Sequence, residues 1–123
     1  MSIPPGRGVR HGGWQPAIVL CERGIRTFET ATRAILDLGG VPALRAMTDL
    51  PIVVDPSHAA GARQLVEPLA LAAAAVRADG IIVECHPDPE SALCDKDQAL
   101  TADDVEQMAA KLQPIVIAQG RHL

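Results

Sequence analysis

An α/β fold built on a parallel sheet is predicted from three features of the chain. Three short apolar runs, Ala17–Cys21, Ile52–Asp55 and Ile81–Glu84, begin about 30–35 residues apart with helix-forming sequence between them. Each run is continuously apolar rather than alternating, as strands covered on both faces are. Each also ends in ionisable residues: Glu22 and Arg23, Asp55 and His58, Glu84 and His86. In such sheets the chemistry gathers beyond the carboxyl ends of the strands.

Taken in order, residues 1–16 are rich in Gly, Pro and Arg, lack periodicity, and read as a flexible lead-in foreign to the fold that occupies 17–123. Ala17–Cys21 is the first strand. Phe28–Leu38 is predicted as the first helix, with Thr27 to cap it and Gly39-Gly40 to stop it. Val41–Met47 adds a short helical turn, and Leu50-Pro51 leads into the second strand. The PSHAAG stretch, Pro56–Gly61, reads as a bend. A helix then runs to about Ala78, with Pro68 tolerated where a new first turn begins and LALAAAAV strongly helix-forming. Gly80 ends that turn and Ile81–Glu84 is the third strand. After the Pro87–Pro89 loop, Thr101 caps an acidic helix to Leu112, with Asp103 and Asp104 in the first turn, where the helix dipole favours them.

A length of 123 residues sets an expectation of one domain with a modest core. The chain is 48% apolar, yet Trp14 and Phe28 are its only aromatic residues, so burial rests on aliphatic side chains. A net charge of −4, no Lys/Arg run and no aromatic platform argue against nucleic acid. No apolar run approaches the ~18–20 residues of a membrane span. The start, MSIPPGRGVRHGG, lacks the apolar segment of a secretory signal. Cys21, Cys85 and Cys94 form neither a CxxC pair nor an even set, and reduced thiols in the cytoplasm are expected.

Side-chain parity groups the candidates. Glu84 shares a face with Ile82, Arg23 with Val19 and Cys21, and His58 with Ile52 and Val54, which makes Arg23, His58 and Glu84 one set. Cys21 is expected to pack inward. A lone strand-end histidine is more often structural than a ligand, but His58 has Glu84 and Asp95 at the same end of successive units, an imidazole and two carboxylates suited to a metal. Arg23 reads either as an ion-pair partner of Glu22 or Asp55, or as a phosphate fork. His86 is read as a loop residue holding its turn. The spacing of Cys85, His86 and Cys94 lacks the paired ligands of a structural zinc site.

At these residues the sequence resembles a known family. CERGIRTFET (21–30), VDPSHAAG (54–61), LVEPLALAAAAV (65–76) and VECHPDPESALCD (83–95) are similar to the last three βα units of type I 3-deoxy-D-arabino-heptulosonate-7-phosphate (DAHP) synthase, a (β/α)8-barrel family related to 3-deoxy-manno-octulosonate-8-phosphate synthase. The resemblance covers about residues 17–120 and implies a partial TIM barrel. The ERG and HP motifs are shared with the octulosonate enzyme, whereas GIRTFE and DPSHA look like the heptulosonate branch.

The resemblance implies condensation of phosphoenolpyruvate with erythrose 4-phosphate and release of phosphate, at the head of the shikimate pathway. It maps His58, Glu84 and Asp95 onto three of four ligands of a divalent metal (Mn, Fe, Co or Zn), and Arg23 onto a phosphate-binding arginine for phosphoenolpyruvate. His58 also contacts that substrate in this mapping. Strands one to five, with the fourth ligand, a cysteine, have no counterpart here, and Cys94 stands where serine is commoner. The expectation is a sheet with open edges, doubtful activity alone, and association with further copies or with a completing chain. The alternative readings are a non-catalytic half-barrel and an enzyme like octulosonate-8-phosphate synthase.

Overall fold

The computed structural model describes residues 17–91 and 97–123, so the lead-in over 1–16, Cys94 and Asp95 lie outside the described residues. Three parallel strands form one sheet in the order β1 (Leu20–Glu22), β2 (Ile52–Val54), β3 (Gly80–Ile81). The register pairs Leu20 with Ile52, Glu22 with Val54, and Val54 with Ile81. Between and after them come α1 (Gly40–Arg45), α2 (Pro56–Ala60), α3 (Arg63–Ala75), a single 3₁₀ turn (Pro89–Ser91) and α4 (Ala102–Ala118). The predicted βα repeat and parallel sheet are both present.

β2 is central, and its β-branched residues suit a pleated strand paired on both sides. Ile52 and Val54 are fully buried against Val41, Ala73 and Ala78, with Leu20 and Ile81 beside them. A second cluster joins α3 to α4: Val66, Ala70 and Ala74 meet Met108, Leu112 and Val116. Both triplets recur every four residues, so each helix offers one row of side chains to the other. The alanines keep the α3 row low enough for α4 to lie close. This row carries α4 through Pro114 to Ala118, beyond the predicted end at Leu112. Thr101 caps α4 as predicted, its Oγ accepting from Asp104 N–H at 3.1 Å while the Asp104 carboxylate takes Thr101 N–H at 2.9 Å.

The predicted helix over Phe28–Leu38 does not form. Ile25 and Ile35 instead pair in an antiparallel bridge, exchanging bonds of 2.8 and 2.9 Å, and Ala34 N–H reaches Ala59 O at 2.9 Å. Thr27 Oγ1 accepts from Glu29 N–H, and Thr32 Oγ1 donates to Ala34 O. Local hydroxyl bonds of this kind compete with a helix ladder. Phe28 is 92% exposed, so a helix here would also lack the packed apolar face that stabilises short helices. Other boundaries shift as well. The PSHAAG bend is mostly the helix α2, α3 stops at Ala75 rather than near Ala78, β1 starts at Leu20, and β3 ends at Ile81. Among the described residues no helix is long and apolar enough to cross a membrane.

Candidate functional site

The carboxyl ends of the three strands bring Arg23, Asp55, His58 and Glu84 together. Asp55 directly follows β2 and caps α2, its Oδ1 accepting the His58 N–H at 3.0 Å with Pro56 in the first helical position. That one turn places the His58 side chain back over its own cap, and His58 Nδ1 lies 2.5 Å from Asp55 Oδ2. Gly61 closes α2 at φ +67°, a conformation that L side chains rarely adopt, with Arg33 packed where a Cβ would sit.

Arg23 reaches the same carboxylate from β1, its Nε 3.3 Å from Asp55 Oδ2. The last rung of the β1–β2 ladder, Asp55 N–H to Glu22 O at 2.8 Å, sets the two ends side by side. Glu22 then takes Gly24 N–H at 2.8 Å. Gly24 turns the chain at φ +105°, where a Cβ would strike Ala34 and Ala59. Glu84 arrives from beyond β3. Its N–H is held by Ser57 Oγ at 3.0 Å, and its Oε1 lies 3.8 Å from His58 Nε2.

Burial grades this cluster. The Asp55 side chain is 4% exposed and that of His58 25%, whereas Glu84 is 37% and Arg23 58% exposed. A buried carboxylate thus sits behind, a half-buried imidazole stands in the middle, and an accessible guanidinium and carboxylate flank it. Nearby, partial burial and then the Asp55 carboxylate hold the Cys21 thiol above its usual range. Cys21 is therefore poorly suited to serve as a thiolate.

Two expectations about faces are corrected. Ile52 and Val54 point into the helix layer, so His58 does not share their face. It reaches the cluster because α2 carries it there. Cys21 is exposed rather than core packing, because its side of the sheet has no covering layer among the described residues. Arg23 and Glu84 do lie on that open side, opposite Leu20, Ile81 and Val83, which pack against the helices. Among the described residues no three His, Cys, Asp or Glu side chains converge as metal donors, and Asp95, the third predicted ligand, lies outside them. His86 holds its turn as expected, its Nδ1 accepting Asp88 N–H at 3.0 Å. A separate cleft of about 550 Å³ between α3 and the start of α4 is lined by Arg63 against Glu67, Glu90, Asp97 and Asp104, an acidic lining that suits no phosphate.

The profile of the DAHP synthetase I family matches residues 7–117. The chain belongs to that family. Phospho-2-dehydro-3-deoxyheptonate aldolase of Thermotoga maritima is 52% identical over 103 residues, which are 84% of this chain and 30% of that protein. The crystal structure of that aldolase (DAHP synthase) superposes with a TM-score of 0.82 at 51% identity, over 85% of this chain and 31% of the other. The 2-dehydro-3-deoxyphosphooctonate aldolase of Desulfotalea psychrophila is 34% identical over 77% of this chain and 37% of its own length. This DAHP synthetase I family chain therefore spans about a third of the length of the relatives it matches, and the sheet is the corresponding part of their fold.

Sequence reasoning placed Arg23, His58 and Glu84 at one site but gave Asp55 only a possible pairing with Arg23. The signal for its larger part was present in Asp-Pro-Ser-His: an N-cap acid, a proline at the first helical position, and a histidine one turn on.

Proposed function

We propose that this cluster is the phosphoenolpyruvate- and cation-handling part of a DAHP synthase site, in a cytoplasmic enzyme that condenses phosphoenolpyruvate with erythrose 4-phosphate. The observation that carries the reading is the His58 imidazole, held through Nδ1 by a buried carboxylate and turned with Nε2 toward Glu84 Oε1 at 3.8 Å. An imidazole backed by a carboxylate, facing a second carboxylate, is the donor chemistry of a divalent-cation site.

His58 and Glu84, with Asp95 by family resemblance, are the side chains to hold Mn²⁺, Fe²⁺, Co²⁺ or Zn²⁺. When bound, such an ion supplies Lewis acidity for the aldehyde carbonyl of the sugar phosphate. The chain's own residues then have distinct tasks. Arg23 keeps its Nε on Asp55 while more than half of its side chain stays exposed, and its planar guanidinium suits the phosphate of phosphoenolpyruvate. Asp55 holds guanidinium and imidazole at a fixed separation, so phosphate and reacting carbon are set relative to one another before the second substrate arrives. His58 borders phosphoenolpyruvate on the side facing Glu84. The 52% identity to a heptonate aldolase, against 34% to an octonate aldolase, favours erythrose 4-phosphate over the pentose phosphate that octulosonate synthesis needs.

The test is phosphate release from phosphoenolpyruvate by the purified chain loaded with Mn²⁺. Release that requires erythrose 4-phosphate and disappears in Glu84→Ala supports the reading. No Mn²⁺ binding and no turnover, in the chain alone or joined to the remaining units of a relative, overturns it.

A second reading, a non-catalytic half-barrel that associates, is favoured by the open side of the sheet. Val19 is 55% and Ile82 46% exposed there, and β1 is an unpaired edge among the described residues. It predicts sedimentation as a concentration-dependent oligomer or with a completing chain, and a compact monomer counts against it.

A further inference from the structure

Three donors converge on the Asp55 carboxylate: the His58 N–H on Oδ1 at 3.0 Å, and His58 Nδ1 at 2.5 Å and Arg23 Nε at 3.3 Å on Oδ2. An ionised carboxylate offers only lone pairs, so the ring nitrogen facing it must carry the proton. A neutral imidazole has one N–H, and the proton on Nδ1 leaves Nε2 as the lone-pair nitrogen. Nε2 is the atom that faces Glu84 Oε1 at 3.8 Å.

We infer that Asp55 is a positioning residue that selects the Nδ1–H tautomer of His58, fixing which ring nitrogen is presented toward Glu84. Asp55 acts on His58 and Arg23 together, so one buried side chain aligns both halves of the site. The inference rests on the functional reading for its purpose but not for its geometry. His86 provides an opposite case in the same molecule. Its Nδ1 accepts Asp88 N–H at 3.0 Å, which puts its own proton on Nε2.

The ring nitrogens are read by ¹⁵N–¹H two-bond correlation in the full, ¹⁵N-labelled chain, freed of metal with a chelator and held at a mildly alkaline pH. His58 is expected to show a protonated Nδ1 and a lone-pair Nε2, with His86 in the reverse pattern. In Asp55→Asn the amide oxygen can still cap α2, while the amide NH₂ now faces Nδ1. The His58 pattern should invert to match that of His86, and Mn²⁺ affinity should fall at least ~10-fold, the usual effect of losing such an outer partner. Asp55→Ser keeps a cap without imposing a tautomer and should give a mixture.

A parent spectrum with His58 protonated on Nε2 alone or on both nitrogens overturns the inference, whether or not either variant folds. So does a pattern unchanged in a folded Asp55→Asn. Because the rings are read with no cation or substrate present, a correct tautomer in a chain that binds no Mn²⁺ would sink the functional reading alone.

Discussion

The hydroxyl of Ser57, a fully buried residue of α2, accepts the backbone N–H of Glu84 at 3.0 Å, across 27 residues of chain. This bond ties the exit of β3 to the helix that carries His58, and so fixes the distance between the two side chains. Ser57→Ala leaves that N–H without its partner at a cost of about 1–3 kcal/mol. The expected result is a chain that still folds, with a lower urea midpoint and Mn²⁺ affinity reduced by roughly 10-fold. Paired urea titration and calorimetry check both. Unchanged affinity would mean that the Ser57 bond has no part in placing Glu84.

Arg23 should separate stability from binding. Its pair with Asp55 is largely exposed on the arginine side, and such pairs contribute at most ~1 kcal/mol. Arg23→Lys keeps the charge but loses the planar fork. Thermal stability should therefore change little while affinity for phosphoenolpyruvate falls by about 10-fold, as followed by calorimetry in the presence of Mn²⁺. Equal affinity in both proteins would remove Arg23 from the phosphate site.

Acid should loosen the start of α4. The backbone N–H and then the hydroxyl of Thr101 hold the Asp104 carboxyl below its ordinary value of 3.8. A depressed carboxyl adds stability that is complete above the unfolded value and is lost as pH falls through the folded one. Between pH 5 and neutrality this contribution should be constant, and below about pH 4 it should fade. Asp104→Asn should flatten that acid slope in circular dichroism melts. A slope identical in both proteins would assign it to other carboxylates.

Arg121 closes the far end of the molecule. It donates to Ala78 O at 2.8 Å and Ala74 O at 3.0 Å, and it also contacts Gln119 Oε1, so the turn after α4 covers one carbonyl in the last turn of α3 and another in the segment that follows it. Burial, and then the neighbouring Arg77 and Arg45, lower its pKa, which is the cost of placing the cation there. Arg121→Ala should destabilise the chain by about 1.5–3 kcal/mol, the range for hydrogen bonds to charged groups. Amide exchange should accelerate in the last turn of α3 more than in β2. Uniform acceleration would point to global unfolding instead.

Much of this organisation was legible in the residues. Continuous apolar runs at a steady spacing announced β1, β2 and β3, and Thr101 with Asp104 announced the start of α4, because capping and strand burial are local demands. The segment over residues 28–38 misled, since its composition suits a helix while its backbone is claimed by Ile25 and Ala59, partners that only the fold brings near. Asp55 gives a weak local signal for a related reason: its use depends on Arg23 arriving from another strand.

Sequence alone determined the parallel α/β scaffold, the strand ends that carry ionisable groups, and the chemical types available there. Periodicity and capping are written within a few residues of one another and need no distant partner. Tertiary structure decided which groups meet. It carried His58 on α2 rather than on the β2 face, made Asp55 the shared acceptor, and left Cys21 on an open side of the sheet. Those outcomes follow from packing across chain separations of about 30 residues, where burial and donor geometry, not local propensity, choose the arrangement.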